Sequence, residues 1–308
     1  MSLTALLFLV VSAFVHAGWN ALGRRTRPAV AFYLVASLTG AVVLAPAAVL
    51  WHATAALIPG VVLLLLIPAG FFQMLYFTGL AGAYKTGDMS VAYPFARALP
   101  VLLVPVVTTA LGHGTRLSPF ALGGMVGVTI GMLVIPHASF STFSWSAFRG
   151  RWPAFAILAG IGTTGYSIVD NAALNIYRHA VAAGAANDSS ASIAAPVIYG
   201  FFESLSAALF LLAAGLLIRG PRRVAADVRS ISTRDAVAAG IGIIGAYVLV
   251  LIAYGFADNV SYVVAFRQMS LPIGLVLAAT FLRERITWPR VIGTTLIVAG
   301  LVTVGFAG

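Results

Sequence analysis

The chain contains no cysteine, which excludes disulfides, thiol nucleophiles and cysteine metal sites. Charge is scarce as well. Only 8% of its 308 residues are Asp, Glu, Lys or Arg, where a soluble domain carries about 25%. Catalytic signatures are missing too: there is no His-Glu-x-x-His, no Gly-x-Ser-x-Gly and no Gly-x4-Gly-Lys-Ser/Thr. A zinc protease, a hydrolase elbow and a nucleotide-driven motor therefore have no anchor in the sequence, and neither a metal nor another cofactor is expected.

What is present is apolar. Hydrophobic residues make up 61% of the chain, and mean hydropathy is +1.02. Ten apolar runs fill its length, at 2–23, 29–50, 59–83, 88–111, 118–136, 152–178, 194–218, 235–256, 258–282 and 288–307. Most are about 20 residues, enough for a helix to cross a ~30 Å hydrocarbon core. A transmembrane barrel would show alternating segments of about 10 residues instead. The expected fold is an all-α polytopic membrane protein of ten transmembrane helices, here called segments one to ten. Segment one lacks the basic start of a secretory signal and is followed by nine similar runs, so it reads as a helix of the mature protein.

The net charge of +10 would point to nucleic acid in a soluble protein. Here topology accounts for it, and no nucleic-acid partner is expected. Fourteen of the eighteen Lys and Arg fall at odd-numbered connections: Arg24, Arg25, Arg27, Lys85, Arg149, Arg151, Arg219, Arg222, Arg223, Arg229, Arg234, Arg283, Arg285 and Arg290. Even-numbered connections hold Arg116 and Arg178, which leaves only Arg97 and Arg267 inside segments. Basic loops stay cytoplasmic, so both termini are predicted periplasmic in a bacterial inner membrane.

One frame is written twice. "YKTGDMSVAYPFARALP" from Tyr84 and "YGFADNVSYVVAFRQMSLP" from Tyr254 share Tyr-x3-Asp-x8-Arg at an offset of 170. Asp88 and Asp258 would open segments four and nine as helix caps. Arg97 and Arg267 would then lie about 13 Å deeper, near the middle of the core. "RLSPFALGG" at Arg116 matches "RITWPRVIG" at Arg285, which pairs Gly124 with Gly293 and Gly131 with Gly300. "HAGWN" and "TTGYS" pair Gly18 with Gly165 and Trp19 with Tyr166. The chain thus divides into five-helix repeats at 1–136 and 150–308, joined by 137–149. An odd number of helices per repeat inverts the second, and inverted repeats with a midplane site are usual in secondary transporters.

The pattern resembles the drug/metabolite transporter superfamily, in its ten-helix EamA-type branch. "HAGWNALGRR" in segment one is similar to that branch's Trp-Gly-x-Asn motif. The short acidic turns, the proline-bearing segments four and nine and "LRERITWPRVIGTTLIVAG" extend the likeness over the whole chain. Within the branch, length and tyrosine-rich segments look most like bacterial aromatic amino-acid exporters. The resemblance implies a secondary carrier rather than an enzyme, working on a small-molecule substrate in a lipid bilayer as monomer or homodimer. Small multidrug members couple protons through a glutamate in helix one. Segment one has no carboxylate, His16 being its ionisable side chain, which departs from that scheme.

Candidate contacts follow from placement. His16, Trp19 and Asn20 share one helical face, where Trp19 fits either a cavity or an interfacial belt and His16 either a ligand or a neighbouring helix. Trp51, Trp145, Trp152 and Trp288 sit at segment ends, as a belt would. Tyr76, Tyr84, Tyr93, Tyr166 and Tyr254 offer rings for stacking or for an ammonium. Asp170 should face the bundle interior or sit hydrated near an end, and Glu203 raises the same pair of readings with an arginine as partner. Arg97 and Arg267 either attract a substrate carboxylate or lock segments four and nine to backbone carbonyls or Asp170. Pro94, Pro100 and Pro105 in segment four and Pro272 in segment nine should bend both helices. Segments five and ten, with Gly127-x3-Gly131, read as bracing between the halves or between two copies. The expected function is export of small amphipathic metabolites, amino acids and aromatic ones first, by alternating access. A sugar, nucleotide-sugar or cationic-drug carrier and an intramembrane enzyme are the alternatives.

Overall fold

A computed structural model describes residues 1–23, 29–87, 89–112, 117–137, 139, 150–184, 191–281 and 286–307. All ten apolar runs are helical: Leu3–Gly23, Val30–Leu50, Gly60–Thr86, Met89–Ala110, Pro119–Val134, Trp152–Gly184, Ala191–Arg219, Thr233–Ala253, the pair Val260–Phe266 and Ser270–Phe281, and Trp288–Ala307. No strand occurs among the described residues. Among the described residues, eight helices are long and apolar enough to cross a membrane, while segments one and five hold shorter apolar helices. The chain is an all-α polytopic membrane protein.

Its outer surface is apolar, as is most of its core, while a few polar side chains are buried within. Leu64, Val106, Leu209 and Val302 point outward and are more than half exposed, whereas Ser167, Asp170 and Glu203 are fully buried. Such a surface is at home in hydrocarbon, where van der Waals fit between helices replaces the hydrophobic drive. Segments five and ten show that fit. A Cβ on Gly124 would lie 2.6 Å from the Gly300 carbonyl oxygen and one on Gly300 2.5 Å from that of Gly124. Gly131 and Gly293 repeat the exchange at 2.5 and 2.7 Å. The bracing expected of these segments is thus the contact of one with the other. Its stripe runs from Gly124 to Gly131, two turns on, while Gly127 has 3.8 Å to its nearest neighbour.

Elsewhere segment three packs on six, one on eight and two on seven, with smaller contacts of two on eight, three on seven, four on six and one on nine. Segment nine is not one helix. It breaks at a 3₁₀ turn, Arg267–Met269, because Pro272 has no N–H to continue the ladder. Segment four, with three internal prolines, runs as one helix, so the expected interruption appears only in nine.

Other expectations change with the boundaries. Segment six continues to Gly184, so Arg178 lies inside it and not in a loop. Its Nη2 donates to the carbonyls of Leu251 and Ile252 (2.6 and 3.4 Å), closing the C-terminal end of segment eight. Asn259 rather than Asp258 caps segment nine, accepting from Ser261 N–H at 2.8 Å. Asp258 is exposed, its carboxylate 3.5 Å from the Met1 ammonium. The seven–eight connection carries a helix of its own, Pro221–Ser230, tied back by Arg219 to Asp227 at 2.6 Å. Trp152 is buried against Phe95 instead of joining an interfacial belt, whereas Trp288 is exposed as a belt requires. Asp88, Arg24, Arg25, Arg27, Arg116, Trp145, Arg149, Arg283 and Arg285 lie outside the described residues.

Candidate functional site

A cavity of about 60 Å³ for the centres of water-sized molecules lies within the bundle. Residues from 1–136 and from 150–308 both contribute to its wall. His16, Tyr76 and Arg97 come from the first half, and Tyr166, Glu203 and Arg267 from the second.

Arg97 is held on all sides. Its Nε donates to Gln268 Oε1 (2.7 Å), Nη1 to the Tyr93 hydroxyl (2.8 Å) and Nη2 to the backbone carbonyl of Arg267 (2.7 Å). His16 Nε2 stands 2.6 Å from Nη1 and 2.8 Å from the Tyr93 hydroxyl. A guanidinium has donors only, so Nε2 meets it as an acceptor. Each hydrogen bond to a charged group contributes about 1.5–3 kcal/mol, so this set outweighs the ~2.5–3.5 kcal/mol that arginine costs at a helix centre. The break in segment nine presents the carbonyl of Arg267 to Arg97. The backbone-locking reading of Arg97 matches this geometry.

Arg267 is placed differently. Its Nη2 donates to the Tyr166 hydroxyl (3.0 Å) and Nη1 reaches Ser167 Oγ at 3.4 Å. Its guanidinium carbon stands 5.7 Å from the Tyr166 ring centroid and 5.3 Å from that of Tyr247. Such cation–π contacts contribute about 0.5–2 kcal/mol each. Two of its five N–H donors are thus engaged among the described residues. The rings themselves form a ladder: Tyr76 meets Tyr166 edge-on at 5.7 Å, and Tyr166 meets Tyr247 at 5.6 Å.

Two carboxyl groups lie behind and beside this ladder. Asp170 is fully buried and not hydrated, accepting from the Tyr199 hydroxyl (2.8 Å) and from the Tyr247 hydroxyl. It makes no ion pair with Arg97 or Arg267, and stands behind the cavity wall. Glu203 is in the wall. The expected arginine partner is replaced by Gln73, whose Nε2 donates to Oε1. A lone amide in the run "LLLLIPAGFFQMLYF" is itself a signal for an interior polar contact, and sequence reasoning passed over it. Tyr247 and Gln268 were likewise missed. Gln268 stands beside Arg267 but has Ala98 at the matching position of the first half, so no repeat pointed to it.

Of the remaining candidates, Tyr93 joins the site through His16 and Arg97. Tyr84 packs near Tyr93 with centroids 6.5 Å apart, and Tyr254 is fully buried; neither is in the cavity wall. The side chains of Trp19 and Asn20 lie outside the described residues. No group of three or more His, Asp or Glu suited to a metal occurs among the described residues.

No family model and no curated protein matches the chain. Among solved structures, 27 chains match it. One, described only as the crystal structure of a protein, is 18% identical with a TM-score of 0.68, over 99% of this chain and 98% of the other. At that identity the likeness shows a shared fold over the full length.

Proposed function

We propose that the protein is a secondary carrier of the drug/metabolite transporter type, built from ten transmembrane helices as two inverted repeats. Its cargo is small amphipathic metabolites, amino acids and aromatic ones foremost, exported across a bacterial inner membrane. The observation that carries this reading is the interior cavity, which sets two arginines, a carboxyl group and a tyrosine ladder between the halves. Carriers place their sites at such an interface.

Packing supports the repeat. Exchanging the halves turns three-on-six into eight-on-one, two-on-eight into seven-on-three and four-on-six into nine-on-one, all of which occur. The same exchange turns Gly124–Gly300 into Gly293–Gly131, and the close approach of Gly70 to Ser206 into that of Gly240 to Ala36. Rocking one half on the other would open the cavity to each side in turn.

Counterflow in proteoliposomes tests the carrier. Preloaded phenylalanine should accelerate uptake of labelled phenylalanine, which a channel or an enzyme would not produce. Orientation has its own check: a phosphatase that works only in the periplasm should be active when fused to Gly308, and a cytoplasmic fluorescent reporter dark. The reverse pattern would discard the predicted topology.

A further inference from the structure

Glu203 is the unexplained group in the cavity. It sits in the middle of a lipid-facing bundle, is fully buried, and lines the same space as Arg267. One of its oxygens, Oε1, is occupied by the Gln73 amide; Oε2 is buried and receives no donor, although the Asp170 carboxyl stands close enough to interact with that of Glu203. Among the described residues no cation lies within ion-pair distance of it. Its neighbour Asp170 differs on this point, since both Asp170 oxygens take tyrosine hydroxyls. A buried polar atom left open is costly unless something arrives to satisfy it.

What arrives can be read from the wall. Arg267, within electrostatic reach of Glu203, has donors left over for an anion. Glu203 has one acceptor left over for a donor, and the edges and faces of Tyr76, Tyr166 and Tyr247 lie in the same wall. A metal ion fits poorly, because the groups aimed at the two carboxyls are donors: the amide of Gln73 and the hydroxyls of Tyr199 and Tyr247.

We infer that Glu203 Oε2 is the cargo's ammonium-binding atom, opposite Arg267 as the carboxylate binder, so that the cavity selects small zwitterions. Asp170 is a positioning residue in this scheme: it holds the Tyr247 hydroxyl, and the Tyr247 ring supports the Arg267 guanidinium. The inference rests on the carrier reading and adds a charge requirement to it.

Three solutes with one ring and different charges test it: phenylalanine, phenethylamine and 3-phenylpropionate. Each is measured as a competitor of labelled phenylalanine counterflow, and separately as a stabiliser of the detergent-purified protein against heat. Glu203→Gln keeps the shape and the Gln73 contact. It should weaken phenylalanine and phenethylamine about ten- to a hundredfold and leave phenylpropionate unchanged or tighter. Arg267→Gln should give the mirror image, sparing phenethylamine. Equal losses for all three solutes in both variants would overturn the assignment, as would a Glu203→Gln protein that loses only the pH dependence of counterflow, which marks a proton site. Charge-selective stabilisation by the solutes without any counterflow would keep the inference and remove the carrier reading. Counterflow with charge-blind losses would do the reverse.

Discussion

The two arginines that share the Tyr-x3-Asp-x8-Arg frame are held in different ways. Arg97 spends its donors on His16, Tyr93, Gln268 and the carbonyl of Arg267, which fastens segment four to one and nine. Arg267 donates to Tyr166 and Ser167 and makes no further side-chain hydrogen bond among the described residues. The difference begins with the partners and not with the arginines. Position 268 carries glutamine where the first half has Ala98, and position 16 carries histidine where the second half has Thr163. Two arginines in the same sequence frame can thus end in different surroundings, one saturated by its neighbours and the other with donors to spare among the described residues.

Breaking that comparison is most direct at Arg97. Arg97→Ala removes the donor from several buried acceptors at once, and should destabilise the fold by about 3 kcal/mol or more. Size-exclusion profiles after a heat ramp should show it as the least stable variant. Arg267→Gln should melt close to the wild type and instead lose carboxylate-bearing solutes, about ten- to a hundredfold in half-saturation. Equal thermal losses in the two variants would mean that both arginines are scaffold.

The glycine contact offers a milder comparison within one helix. Gly124→Ala forces a methyl group against the Gly300 carbonyl and should cost about 1–3 kcal/mol. Gly127→Ala, three residues along, would meet Gly300 at 3.8 Å, an ordinary van der Waals contact, and should stay within about 0.5 kcal/mol. A heat ramp on the two variants compares them directly. The smallest effect is expected at the ladder. Tyr76→Leu should weaken phenylalanine relative to leucine by about 0.5–1.5 kcal/mol, roughly two- to twelvefold, since only the aromatic cargo loses a ring partner. The same loss for both solutes would leave Tyr76 a packing residue.

Several features of the site were readable in the chain. Apolar runs of membrane length determined where helices form, because hydrocarbon leaves the backbone no other partner than itself. The doubled frame marked Arg97 and Arg267 as interior charges, since nothing else puts arginine at such depth twice. Proline marked the break in segment nine, whereas segment four runs as one helix through Pro94, Pro100 and Pro105. Partner choice was not legible. Gln73 meets Glu203 across 130 residues, and Tyr247 meets Asp170 across 77.

Composition and periodicity act locally, so the sequence by itself determined a helical membrane chain, the position of each apolar helix and the presence of charges within them. Which carboxyl is saturated, which arginine is locked and which oxygen is left without a donor depend on side chains brought together from segments one, three, four, six, seven, eight and nine. Only the packed bundle decided those, because hydrogen bonds act over about 3 Å and in this fold that distance joins residues as far apart in sequence as Arg97 and Gln268, 171 positions, and Ser2 and Phe256, 254 positions.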